Sequence, residues 1–276
     1  MIYKNLILIV VFVTQSFGHL QAQLASDYDE SKLYAETKQV NQFFRRFNGE
    51  EDENGKRYYA KDKDYRDSKL RKQYISILFD HNNEGIRDEL KVAFAREVLD
   101  KRNPKFLDFH DNNWFAEVNT TFQHRGKEIP VVLFMQLEQQ HLGSKWVINK
   151  VFANQFAGYF SRDTTQSTNF LHPLSHELDF MNLRKAFDSK DNATEYTIKD
   201  FKPDHLSVFI YAIRNGDLKF KTINSVHFHV FQIEGWYFEL SEFNREGYNT
   251  GWLISNLVES DAEQQLLLKQ YILNEN

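Results

Sequence analysis

Three sets of side chains have the types and spacing that chemistry needs. His227-Phe228-His229 falls in an alternating stretch, and a strand's period of two sends both imidazoles to one face, as a metal ion requires. Glu239 is one candidate third ligand, although the sequence does not show which strand lies beside the histidines. The bland reading is a polar sheet face opposite Phe228 and Val230. His172-Pro173-Leu174-Ser175-His176-Glu177 sets two histidines four apart beside a carboxylate. Ser175 reads as a helix cap, however, which leaves His172 outside the helix, and the order is not the His-Glu-x-x-His of zinc proteases. Third, His110, Glu117 and His124 fall on adjacent expected strands, where they would supply proton transfer in a cone-shaped pocket.

Nothing else strengthens a catalytic reading. The chain has no cysteine, no Gly-rich phosphate loop and no nucleophile with a recognisable base. No catalytic residue is assigned, and no metal or cofactor is expected. Trp114, Trp146, Trp236 and Trp252 are candidates for a ligand cavity or a sugar-stacking surface, though aromatics alternating along strands are more often core. Tyr58, Tyr59 and Tyr65 are contact candidates on a charged loop. Asn119-Thr120-Thr121 and Asn192-Ala193-Thr194 match the glycosylation acceptor pattern, which matters only in a eukaryotic secretory pathway.

The elements that must position these groups follow from periodicity. Apolar residues from Leu33 to Phe47 form one helical stripe, and Leu70 to Phe79 and Glu84 to Leu99 form two more. Gly49 to Asp67 is a mixed-charge stretch read as a solvated loop in which substitutions should cost almost nothing. Phe106 to His110, Trp114 to His124, Ile129 to Glu138 and Lys145 to Phe152 read as a four-stranded antiparallel meander. After a Ser/Thr/Asn-rich bridge, Ser175 to Phe187 is a short amphipathic helix. Ser207 to Arg214 is either the first arm of a hairpin turning at Asn215-Gly216 or a helix ending at Gly216. Val226 to Ile233, Trp236 to Phe243 and Trp252 to Val258 make a second meander. A last helix runs from Ser260, in a Ser260-Glu263 capping box, with Leu266, Leu267, Tyr271 and Ile272 as docking residues.

The second meander echoes the first. Val131 to Glu138, a turn, then Trp146-Val147-Ile148-Asn149 recurs roughly a hundred residues later as Tyr237 to Leu240, a turn, then Trp252-Leu253-Ile254-Ser255. The fold class expected is therefore α+β, with tandem units of helices packed on curved antiparallel sheets and a C-terminal helix. The units are 1–23 as a signal peptide, 24–160, a linker at 161–174, and a smaller unit at 175–276. Two separate sheets are expected, with Trp146 and Trp252 at equivalent, buried places on their last strands.

Helices Leu33 to Leu99 followed by strands Phe106 to Phe152 resemble the nuclear-transport-factor-2-like (cystatin-like) superfamily. The likeness covers the first half well and the second loosely, and it implies a shape rather than an active site, since the Asp/His pairs of that superfamily's enzymes are absent. A leader ending near Gln21-Ala22-Gln23 before a cysteine-free tandem domain also resembles exported proteins of the Bacteroidetes.

The leader combines Lys4, an apolar run from Leu6 to Val13 and a small residue at Ala22, as a secretory signal does. That run is shorter than a membrane span. Without cysteine there is no lipid attachment point and no disulfide, so the fold must rest on its core. The net charge is −5, one unit more negative without Lys4, and such mild acidity gives no support to a nucleic-acid partner. The expectation is an exported protein, secreted or periplasmic and not lipid-anchored, with no membrane span once the signal is removed. Non-enzymatic binding of an envelope protein or a carbohydrate is the expected role. A hydrolase or isomerase-like enzyme with a pocket in the first unit is the alternative.

Overall fold

The computed structural model describes residues 39–157 except 142, and 204–274 except 248. The leader, the linker, the Ser175 helix, the His172–Glu177 cluster and Asn192 lie outside the described residues. Three helices come first: α1 (Val40–Asn48), α2 (Ser68–Ile77) and α3 (Asp88–Val98). Gly49 ends α1 in the left-handed region at φ 70°, and any Cβ there would lie 2.6 Å from Arg71 Cγ. Asp67 starts α2 by accepting the Leu70 N–H at 2.9 Å. Strands β1 (Trp114–His124), β2 (Lys127–Gln140) and β3 (Gly143–Phe152) follow, then a single turn, α4 (Asn154–Ala157). The remainder is α5 (His205–Arg214), β4 (Leu218–Val230), β5 (Trp236–Phe243), β6 (Gly251–Glu259) and α6 (Ala262–Ile272). None of the described helices is long and apolar enough to cross a membrane.

All six strands form one antiparallel, open sheet in the order β3-β2-β1-β4-β5-β6. Two three-stranded meanders therefore meet at the β1–β4 ladder, rather than forming the two separate sheets expected. The register puts Ala116 opposite both Met135 and Phe228, and Phe228 opposite Leu240, so alternation assigns each strand one apolar face. Helices cover that face. Phe43, Phe47 and Phe94 of α1 and α3 meet Phe238 at ring distances of 5.7–6.4 Å, and Phe209 of α5 meets Phe122 at 5.4 Å. The sheet curls enough that rings link β3 to β6: Trp146 lies 5.3 Å from Trp114 and 5.9 Å from Phe228, which lies 4.7 Å from Trp252.

Several expectations are corrected. Phe106 to His110 is not a strand, because side chains occupy its backbone: Asn48 donates to the Leu107 carbonyl and accepts its N–H, and Gln232 does the same at Asp108. The first meander thus has three strands. Ser207 to Arg214 lies in helix α5, capped by Asp204, and one unbroken strand runs from Leu218 to Val230. The C-terminal cap is Asp261 with Gln264, one residue beyond the box expected at Ser260. Leu266, Leu267 and Tyr271 are exposed; the helix is held by Leu273, Ile272 and a Gln265 hydrogen bond to the Trp236 carbonyl. Trp252 is buried but Trp146 is 36% exposed. The charged loop is anchored, since Glu51 is fully buried and accepts from Gln42, Arg45 and Arg46.

Candidate functional site

The sheet face turned away from α1–α3 carries the site. There the outward residues of neighbouring strands are polar: Glu117 and Asn119 on β1, Ser225, His227 and His229 on β4, Tyr237, Glu239 and Ser241 on β5. Glu117 stands directly opposite His227, and His229 opposite Glu239. The hydrogen bonds nevertheless run diagonally. His229 Nε2 meets Glu117 Oε2 at 3.0 Å, and His227 Nδ1 meets Glu239 Oε1 at 2.9 Å. An irregularity in the β5–β6 register adds Ser255, whose hydroxyl reaches Glu239 Oε1 at 3.3 Å, and leaves Asn256 opposite Glu239.

Each imidazole is fully engaged. His229 is buried, with Nδ1 2.9 Å from the Tyr237 hydroxyl; because a carboxylate only accepts, its contact with Glu117 selects the Nε2–H tautomer and leaves Nδ1 to accept from Tyr237. His227 Nδ1 also approaches Ser241 Oγ at 3.0 Å, and its Nε2 approaches Ser225 Oγ at 3.2 Å. The hydrogen bond to Glu239 holds the His227 pKa above its ordinary value, against the opposing effect of burial. The His229 hydrogen bond holds the Glu117 carboxyl below the usual carboxylate range. For Glu239, burial pushes upward, but the bond from His227 and the nearby histidines outweigh it and the carboxyl ends below that range. Burial, with the two glutamates, pushes the Tyr237 phenol upward, so it stays protonated.

Helix α6 crosses over this floor without resting on it. A cleft of about 460 Å³ remains, lined by Glu117, His229, Tyr237, Glu239, Asn256 and Val258 on the sheet side and by Leu268, Tyr271, Ile272 and Asn274 on the helix side. The space exists because Leu273 is the helix-end residue that reaches the apolar patch of Phe115 and Phe134, and it props the helix at one end.

The sequence-derived candidates divide sharply. His227, His229 and Glu239 do come together and Glu117 joins them, but as two closed pairs whose ring nitrogens already have protein partners. Among the described residues no group of three or more His, Cys, Asp or Glu is arranged to hold a metal. Of the proton-transfer trio, Glu117 lines the cleft while the histidines go elsewhere. His110 lies in an exposed turn with Nδ1 3.0 Å from Ser144 Oγ. His124, seven residues along β1, points to the opposite face from Glu117, at the far end of about 23 Å of strand. Trp114, Trp236 and Trp252 are core, and Trp146 packs on Trp114. Trp114, Trp236 and Trp252 pack into the core of the helix-covered face. Tyr59 is exposed beneath Arg57, and Tyr65 donates to Glu50. Asn119 donates to Glu117, and Thr120 is buried.

Tyr237 and Asn256 were not among the candidates. Tyr237 had a signal, since it alternates with Glu239 on the strand beside the two histidines; Asn256 depends on a register that sequence does not show. No family model, curated protein or solved structure matches the chain.

Proposed function

We propose that this is an exported, non-enzymatic binding protein that holds a small organic ligand between its polar sheet face and α6. The observation that carries the reading is the state of the cleft floor: it offers ionised acceptors and a buried phenol, but the titratable groups are paired with one another. General acid–base chemistry works best with two groups whose pKa values are driven apart toward the working pH. Here the carboxyls that line the cleft are driven downward and the tyrosine upward, all away from neutral pH, while His227, the group raised from its ordinary value, is not among the lining residues, which disfavours the hydrolase or isomerase alternative.

Export rests on the leader composition alone. A carbohydrate or envelope component as partner is compatible with the acceptors and tyrosine rings in the cleft. The likeness to the nuclear-transport-factor-2-like superfamily is supported by three helices on a curved antiparallel sheet, whereas the tandem relation is not carried further, since all six strands join one sheet and Trp146, part-exposed opposite Leu137, does not match Trp252, buried opposite Glu242. The test is ligand-induced thermal stabilisation of the mature protein against panels of glycans and metabolites, repeated with Val258→Trp, which fills the cleft from β6. A stabilising ligand that the variant loses is the expected result. Turnover of a model substrate without any such ligand would overturn the reading.

A further inference from the structure

We infer that the cleft selects an organic cation, a primary ammonium carried on an aliphatic stem; this rests on the cleft being the ligand site. The acceptor is specific. Glu239 Oε1 is taken by His227, Ser241 and Ser255, whereas Oε2 has no hydrogen-bond partner among the described residues and belongs to a side chain that lines the cleft. Asn256, directly across the ladder, likewise keeps its amide without a hydrogen-bond partner among the described residues.

Charge points the same way. No Lys or Arg lines the cleft, and two carboxylates do. Lys269, in the last turn of α6, lines a separate, smaller cavity with Phe115 and Phe134 instead. The C-terminal end of α6, the negative end of its dipole, stands over the cleft through Tyr271, Ile272 and Asn274. An anion would face two carboxylates and the negative helix end with only neutral donors such as the Asn256 amide to meet it, and a neutral polyol would bring no charge-assisted hydrogen bond to the Glu239 oxygen. An ammonium donates charge-assisted hydrogen bonds to Glu239. Val258, Leu268 and Ile272 supply an apolar wall that suits methylenes rather than hydroxyls.

Three probes of equal chain length separate the charge from the shape: cadaverine, pentanediol and glutarate, titrated calorimetrically into the full chain. Cadaverine should bind at least about tenfold tighter than pentanediol, and glutarate should give no heat. Asn256→Asp sets a carboxylate beside Glu239 and should tighten cadaverine while leaving pentanediol unchanged; Glu239→Gln should bring cadaverine down to the level of pentanediol. Equal binding of diamine and diol, indifference of cadaverine to both substitutions, or no cadaverine heat up to about 10 mM overturns the cation assignment and leaves the cleft as a site for something else. Val258→Trp tells the two readings apart. If it binds cadaverine as the parent does, the cleft is not the site and both readings fall.

Discussion

His227 and Glu239 form a half-buried pair whose two members respond to pH in opposite directions. The His227 pKa is raised from 6.5 in the fold, so its contribution to stability is complete below 6.5 and is lost as pH rises through the folded value. The Glu239 and Glu117 pKa values are lowered from 4.5, so their contribution is complete above 4.5 and is lost as pH falls through the folded values. The network therefore supports the fold most between about pH 4.5 and 6.5. Urea unfolding of the parent and His227→Gln should differ by on the order of 1 kcal/mol near pH 5.5 and by less above pH 8. A gap that widens with alkalinity would contradict the pairing. Glu51 makes a harsher case: it is fully buried against Arg46, itself buried, and Glu51→Ala takes the carboxylate away from that guanidinium. We expect a loss of about 3 to 5 kcal/mol in chemical denaturation, although the residue lies in a stretch whose composition reads as solvent-exposed.

Segments without regular structure are held here by side chains acting as surrogate strands. Asn48 answers both backbone groups of Leu107, so Asn48→Ala leaves a buried N–H and a buried carbonyl unmet and should cost about 2 to 4 kcal/mol in urea unfolding. This is why Phe106 to His110 misleads: its apolar alternation is real, but its hydrogen bonds go to an amide 59 residues earlier. Elements whose evidence is local were legible. The stripes of α2 and α3 and the alternation of β1, β2, β5 and β6 match the structure closely, because burial of one face is written in the spacing. The cleft was half legible. His227 and His229 share a face by alternation alone, whereas Glu239 joins them only through the β4–β5 register, the pairing with Glu117 needs β1 to lie beside β4, and the roof needs α6 to cross the sheet. The tryptophans show the same limit. Both lie on edge strands, but Trp252→Ala, at a buried site, should cost about 3 to 5 kcal/mol, whereas Trp146→Ala, partly in water, should cost about 1 to 2 kcal/mol. Equal losses in thermal unfolding would mean that the two sites are packed alike.

At the scale of the molecule, the β1–β4 ladder is the seam on which everything depends. It joins the two meanders, carries Glu117 to His229, and continues a core that runs from Phe43 to Leu257. A fragment ending at residue 157 would keep β1–β3 and the first three helices but lose the seam strand, leaving the outer edge of β1 and the apolar face of Trp114 open. Such a fragment should aggregate on size-exclusion chromatography and show no cooperative melt; a monodisperse, cooperatively melting fragment would show that each meander is an independent domain. The seam also sets an order in time. Its strands are roughly a hundred residues apart, a separation that slows folding. On the ribosome the β4-facing edge of β1 must wait, unpaired, while more than a third of the polypeptide is still to be made, and if the chain is exported through a narrow channel it emerges in the same sequence. Whatever factor guards this protein before it is complete therefore has a defined client: the exposed flank of Trp114 to His124, from the moment it appears until Val230 arrives to cover it.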